Sequence, residues 1–305
     1  MDNSKYEFQN DMPEGVTVDS SETELCDCSW IEILDENGSE AMGKPIGNYI
    51  TIETDIVGCG RNNELDEIAK TVSEYLVKIM GITVNESVLV VGIGNRNIIA
   101  DSLGVRAVDK VWATRHVADE AGDLLGKAIP NVSVISPGVM GVTGISTADI
   151  VKSICDAIKP SLVIVVDALV ARKTSRLYST IQISDTGLTP SGGLFGNVKQ
   201  RIDSEFIGLP VISIGVPMVV SAATIITDFM GYVIEEHGDN EEVEVNATML
   251  EDVNEYANEL FSSSSPFVAT KEIDTVVHYS SYIISTAINR ALFQEDWEQI
   301  PYNNY

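Results

Sequence analysis

The stretch Leu162-Val163-Ile164-Val165-Val166-Asp167-Ala168-Leu169-Val170-Ala171-Arg172 decides the fold. Its first five residues are apolar, four of them are β-branched, and none offers a polar face to solvent. A strand written this way is covered on both sides, the pattern of a parallel sheet with helices on each face. The run ends on a carboxylate, Asp167. A second stretch repeats the design: Ser87 to Val91 is followed by Gly92-Ile93-Gly94-Asn95-Arg96-Asn97-Ile98-Ile99-Ala100-Asp101. In open α/β sheets ligands collect beyond the carboxyl ends of the strands. Two carboxyl groups delivered there can share a proton and activate a water.

Working outward, Leu65, Ile68, Ala69, Val72, Tyr75, Leu76 and Ile79 recur at helical spacing. They predict a helix capped by Asn62 or Asn63 and ended by Gly81. Asp101 is expected to open a helix running through Val111. Val132 to Ile135 reads as a strand, and Thr147 to Ile158 as a helix with Thr147 as N-cap. Thr180 to Ile183 is a further strand. Val211 to Ile214 is a strand feeding a long helix that ends near His237 and Gly238. Ile273, Val276, Val277, Ile284, Ile288, Ala291 and Leu292 share one face of a last helix. Near the start, Trp30 to Leu34 and Tyr49 to Glu53 alternate as strands, joined as a hairpin through residues 36–48. Alternating strands and helices make the fold class α/β, with a mostly parallel sheet.

A chain of 305 residues accommodates one large α/β domain or two small ones. Its formal net charge of −27 repels DNA and anionic membranes, which argues against direct nucleic-acid or membrane binding and leaves basic or neutral proteins as partners. Residues 1–43 read as an acidic, partly mobile leader in which Lys5 is the only basic residue; residues 44–305 read as one domain. The opening MDNSKYEFQN has no signal-peptide pattern, so a cytoplasmic setting is expected. The uncharged run Phe206 to Thr227 has the length of a membrane span, but Gly208, Pro210, Gly215 and Pro217 cut it into a strand, a turn and a helix start. It reads as buried core. Cys26, Cys28, Cys59 and Cys155 form no CxxC pair, and reduced thiols are expected.

Several constellations can carry chemistry. Gly92 and Gly94 begin a dinucleotide fingerprint, but Asn97 stands at its third glycine and the next strand lacks the ribose-binding acid; no cofactor is expected. Asp101 reads either as a helix cap or as a catalytic group, and Asp167 either as a loop cap or as a catalytic group. Their joint place at strand ends favours function. Asn95, Asn97 or backbone N–H groups of the glycine loop can steady an oxyanion. Asp185-Thr186-Gly187 has the letters of the aspartic-protease triplet but occurs once, which suits substrate positioning or loop shaping. His116 either joins the two aspartates as a metal ligand or makes a polar contact in the pocket. Ser136 to Gly144, with Met140 at its centre, reads as an irregular loop that walls a peptide groove or merely links strand to helix. No GxSxG elbow is present.

Long stretches in fixed order then show a resemblance. VVGIGNRNIIADSLG (90–104), WATRHV (112–117), ISPGVMGVTGISTADIV (135–151), KPSLVIVVDALVAR (159–172), TIQISDTGLTPSGG (180–193) and GLPVISIGVPMVV (208–220) resemble the germination proteases of endospore-forming bacteria. With weaker similarity between them the resemblance spans Gly43 to Gly238, and residues 268–292 look like the family's final helix. It implies an endopeptidase that degrades small acid-soluble spore proteins in the spore core, by an atypical aspartic mechanism without metal or cofactor. The family's two essential aspartates fall on Asp101 and Asp167. It also implies homotetramers, an inactive zymogen, and a three-layer, phosphorylase/hydrolase-like sandwich shared with hydrogenase-maturation endopeptidases. This chain departs from the family's usual Trp at Arg96 and Pro at Ala100, differs in the loop Gly192–Gly196, and lacks the TDLA-type processing motif. It does carry Tyr6-Glu7-Phe8, an acidic-aromatic pair like those favoured at the family's cleavage sites. Two rivals remain: a metal-dependent maturation-type peptidase using Asp101, Asp167 and His116, and a catalytically inactive sporulation protein that binds spore proteins.

Overall fold

The computed structural model describes residues 12–56, 61–81, 86–118, 129–189, 201–237, 256 and 266–294. Its strands are β1 (Val16–Glu22), β2 (Asp27–Ile33), β3 (Gly47–Glu53), β4 (Ser87–Gly92), β5 (Asn131–Ile135), β6 (Leu162–Ala171), β7 (Thr180–Ser184), β8 (Val211–Ser221) and β9 (Phe267–Val268). The helices are α1 (Glu36–Met42), α2 (Asn62–Met80), α3 (Leu103–Val108), α4 (Met140–Thr143), α5 (Thr147–Ile158), α6 (Ser204–Ile207), α7 (Ala222–His237) and α8 (Ile273–Phe293). All the strands join one sheet in the order β1-β2-β3-β7-β8-β6-β4-β5, with β9 against the end of β8.

The α/β class holds, but the sheet is not mostly parallel. Only β8-β6, β6-β4 and β4-β5 pair in parallel; β1-β2, β2-β3, β3-β7, β7-β8 and β8-β9 are antiparallel. The reason lies in the residue patterns. In β3 and β7, Ile50, Ile52, Ile181 and Ile183 are buried while Tyr49, Thr51 and Gln182 are only partly covered. Such alternation belongs to antiparallel strands with one well-packed face. The apolar runs of β4 and β6 are buried on both. Val88, Val90, Leu162, Ile164 and Val166 pack towards α2, α3 and α8. Leu89, Val91, Val163 and Val165 pack towards α5 and α6. Each such side chain contributes about 1.5–3 kcal/mol on burial.

Much of the acidic N-terminal segment belongs to the sheet. From Val16 it is part of the sheet: Val16 pairs with Ile33, and Ile33 with Gly47. Cys26, Cys28 and Ile33 are buried. The expected hairpin between β2 and β3 forms, but its connection holds helix α1, capped by the Asp35 carboxylate accepting from Gly38 N at 3.0 Å. β1 is an edge strand with an exposed, serine- and acid-rich surface, a composition that discourages pairing with other chains. Residues 1–11, including Tyr6-Glu7-Phe8, lie outside the described residues, as does the Gly192–Gly196 loop.

Local differences follow from side-chain bonds. The N-cap of α2 is Arg61, not Asn62 or Asn63, and Glu64 reaches back to accept from Arg61 N at 3.3 Å. α5 is capped by Ser146, whose Oγ accepts from Asp149 N, while Thr147 donates its hydroxyl to Gly138 O. α3 stops at Val108, short of Val111. The buried Asn289 of α8 accepts from Trp112 N at 3.1 Å and donates to Lys110 O at 3.0 Å, holding that segment in a non-helical course. Pro217 does not end β8; the strand runs on to Ser221, with a register shift against Leu169 and Val170 that accommodates the missing N–H. The uncharged run Phe206 to Thr227 thus spans the end of α6, all of β8 and the start of α7. Among the described residues no helix is long and apolar enough to cross a membrane.

Candidate active site

Glycines bring the pieces of the site together. Gly92 ends β4, and a Cβ there would overlap the carbonyl of Gly104 in α3. A Cβ on Gly104 would in turn overlap the carbonyls of Val166 and Ile93. Ile93 N–H donates to Val166 O at 2.9 Å, so the loop after β4 is sewn to β6 one residue before Asp167. Gly94 sits at φ +128, where L side chains are strained, with no room for a Cβ against Asp101 O.

Asp101 ends a 3-10 turn, Ile99–Asp101, which packs against β6, β8 and α8. It does not cap α3; Ser102 intervenes, buried, with its hydroxyl donated to Ile99 O. The Asp101 carboxylate instead accepts from Asn95 N at 2.8 Å. Burial pushes its pKa above the ordinary carboxylate value, and the Asn95 N–H partly opposes that rise.

Asp167 lies inside β6, not at its end, because Ala168 to Ala171 continue the strand. Gly92 is the last residue of β4 and pairs with Val166, whereas β8 runs on beside β6 with Gly215 opposite Asp167. Asp167 therefore lies just past the point where β4 stops while β6 and β8 run on. It is 1% exposed, and Oδ1 accepts from Ala168 N at 2.8 Å. The turn of Asp101 and the backbone of Asp167 thus both lie at the carboxyl end of β4.

The other candidates divide. The Asn95 side chain accepts from Asn97 N at 3.0 Å, and Asn97 is exposed beside the same turn. Met140 opens α4, one turn of helix closed by Gly144, so the expected irregular loop is partly helical. Met140, Val142 and Ile145 are exposed after β5, the neighbour of β4. His116 is exposed and follows Thr114 and Arg115, whose N–H groups both donate to Val132 O at 2.9 Å. Val132 pairs with Val88, roughly 13 Å along β4 from Gly92 at the usual rise per residue. The structure does not bring His116 to the aspartates. Among the described residues no three His, Cys, Asp or Glu side chains gather as metal ligands would.

Asp185 is a fastener at the other end of the sheet. Its carboxylate accepts from Asn48 N and Asn48 Nδ2, both at 2.7 Å, and Asn48 Oδ1 accepts from Trp30 Nε1 at 2.7 Å. The end of β7 is thereby tied to β3 and β2. Asp185→Ala should lower stability by about 1–3 kcal/mol by orphaning these donors. Denaturant unfolding measures that cost, and the folded variant should turn over normally; a selective loss of turnover would return Asp185 to the reacting site. An open cavity of about 560 Å³, lined by Asp185, Ser204, Ile79 and Pro210 among others, also lies at this end and not beside Asp101 or Asp167.

The sequence model described as germination protease matches residues 1–261 of the chain. The chain belongs to the germination protease family. It is 41% identical over 287 residues to the germination protease of Caldanaerobacter subterraneus subsp. tengcongensis, covering 91% of this chain and 88% of that one. The germination protease of Clostridium perfringens (strain ATCC 13124) is 39% identical over 270 residues, covering 86% and 83%. A NiFe hydrogenase maturation protease from Thermococcus kodakarensis aligns over 62% of this chain and 97% of its own at 18% identity, with a TM-score of 0.31, too low to bear on the fold. Germination protease membership makes this chain a peptidase, a hydrolase of peptide bonds. Spacing alone missed one residue of the site. The third contact glycine, absent at Asn97, is Gly104, ten residues after Gly94 and already on the helix.

Proposed function

We propose that this germination protease is an endopeptidase of atypical aspartic type in which Asp101 and Asp167 work on one water. The observation that supports the reading is that Asp101, half-buried and of raised pKa, and the buried Asp167 both follow the point where β4 ends. Two neighbouring carboxyl groups do not both ionise cheaply, so one of them keeps its proton more readily than a lone carboxyl would. One carboxylate takes a proton from water as it attacks the scissile carbonyl. The protonated partner hydrogen-bonds the carbonyl oxygen and then protonates the leaving amine. The two titrate as a pair. The exposed Asn97 and N–H groups of the glycine loop steady the oxyanion, and Met140, Val142 and Ile145 wall the peptide groove.

Family membership supports small acid-soluble spore proteins as substrate, the spore core as the place, a homotetramer and a zymogen, together with a three-layer phosphorylase/hydrolase-like architecture. Helices on both faces of β4 and β6 agree with the last of these. A zymogen segment would lie before Val16, since β1 begins there. The test is incubation of purified protein with a purified small acid-soluble spore protein and mass mapping of the fragments. Discrete internal cuts support the reading; binding without cleavage supports the inactive rival. Chelators are expected to leave the rate unchanged. Activity that vanishes on chelation and returns with zinc would favour the metal-dependent rival.

A further inference from the structure

Arg96 follows Asn95, the residue whose N–H holds the Asp101 carboxylate. Its guanidinium makes two parallel bonds to Asp109, Nη1 to Oδ2 at 2.7 Å and Nη2 to Oδ1 at 2.9 Å. Asp109 is the C-cap of α3, the helix that starts two residues after Asp101. Loop and helix therefore form a closed ring. Gly104 seats one side of it against Val166, and the Arg96–Asp109 fork closes the other. The pair is 57% and 45% exposed, so it adds little to global stability. Its bidentate geometry does fix orientation. What it orients is the backbone at Asn95 and Arg96, already turned by Ile98 N bonding Asn95 O at 3.0 Å and Asn97 N bonding Asn95 Oδ1.

We infer that Arg96 and Asp109 are positioning residues for the reaction, a surface clasp that keeps the Asn95 N–H on the Asp101 carboxylate and so aims that carboxylate. The inference rests on the proposed role of Asp101. Because a misplacement of about 1 Å can cost ~100-fold, a loosened clasp should cost about 3- to 10-fold in kcat with KM unchanged. The test uses the full chain as wild type, Arg96→Gln, Asp109→Asn and the swapped pair Arg96→Asp with Asp109→Arg. Each is measured for kcat and KM on a spore-protein peptide, for Tm, and for amide hydrogen exchange at Asn95. Both single variants should lose kcat at nearly constant Tm and exchange the Asn95 amide faster, and the swapped pair should recover both. Unchanged kcat and exchange would overturn the clasp. So would a loss of kcat that follows Tm and is not recovered by the swap. If the wild type cleaves nothing while Asn95 exchange still responds, the peptidase reading fails and the clasp stands.

Discussion

Asp101→Asn and Asp167→Asn should each lose ~100- to 10,000-fold in turnover while remaining folded. Each removes a proton-transfer group but keeps the shape, and the amide that replaces the Asp101 carboxylate retains an oxygen for the Asn95 N–H. The double variant should be little worse than either single, since a unit that loses one member has lost its mechanism. Stability should move the other way at position 101. Burial raises the Asp101 pKa, so the fold favours the protonated carboxyl. That contribution is full below the ordinary carboxylate pKa and is lost as pH rises through the raised value. At neutral pH ionised Asp101 is therefore a cost, and Asp101→Asn should melt no lower than wild type. The gap should close below roughly pH 4. Steady-state kinetics with melting curves at several pH values checks both halves. Near-normal turnover in either single variant would sink the dyad.

Gly104→Ala should do severe structural damage at the site. Its Cβ meets only backbone, the Val166 and Ile93 carbonyls and Ile93 N, none of which can swing aside as a side chain would. α3 must lift from β6, carrying Asp101 away from Asp167. Overpacking of this kind costs roughly 3 kcal/mol, and a displacement near 1 Å costs ~100-fold in rate. Gly141→Ala is the matched control, because a Cβ there meets nothing within 4 Å and the residue lies in a helical turn. Urea unfolding and kcat for the pair measure the difference. Equal stability and rate in the two variants would mean that α3 does not sit as closely on β6 as the glycine contact requires.

The parallel half of the sheet was legible because doubly buried strands are written as unbroken apolar runs, as in Leu162 to Val166. The antiparallel half was legible only in part, since the β2–β3 hairpin and β7 could be read but β1 and the β3–β7 pairing could not. β1 offers little more than Val16 and Val18, and its place depends on β3 meeting β7, a pairing between residues more than 120 positions apart. Asp101 and Asp167 were legible from strand-end logic and from their surrounding motifs. That Asp167 lies within β6 was not, since Ala168-Leu169-Val170-Ala171 suits a helix as well as a strand. Asp185 drew attention by its triplet letters, yet its partner Asn48 is 137 residues away and no local pattern announces it. Arg96 and Asp109 sit 13 apart across a turn and a short helix, a spacing without any regular signature.

The strand order also carries a consequence for synthesis. β3 leaves the ribosome about 130 residues before β7, the strand that covers its open edge. At ~5–20 residues per second the nascent β1-β2-β3 meander waits on the order of 6–25 s with Ile50 and Ile52 uncovered and one row of backbone groups unpaired. Such an edge invites pairing between neighbouring nascent chains. The acidic residues crowded into the first 43 positions supply mutual repulsion over that interval, so their charge guards the newborn chain before it serves the finished enzyme.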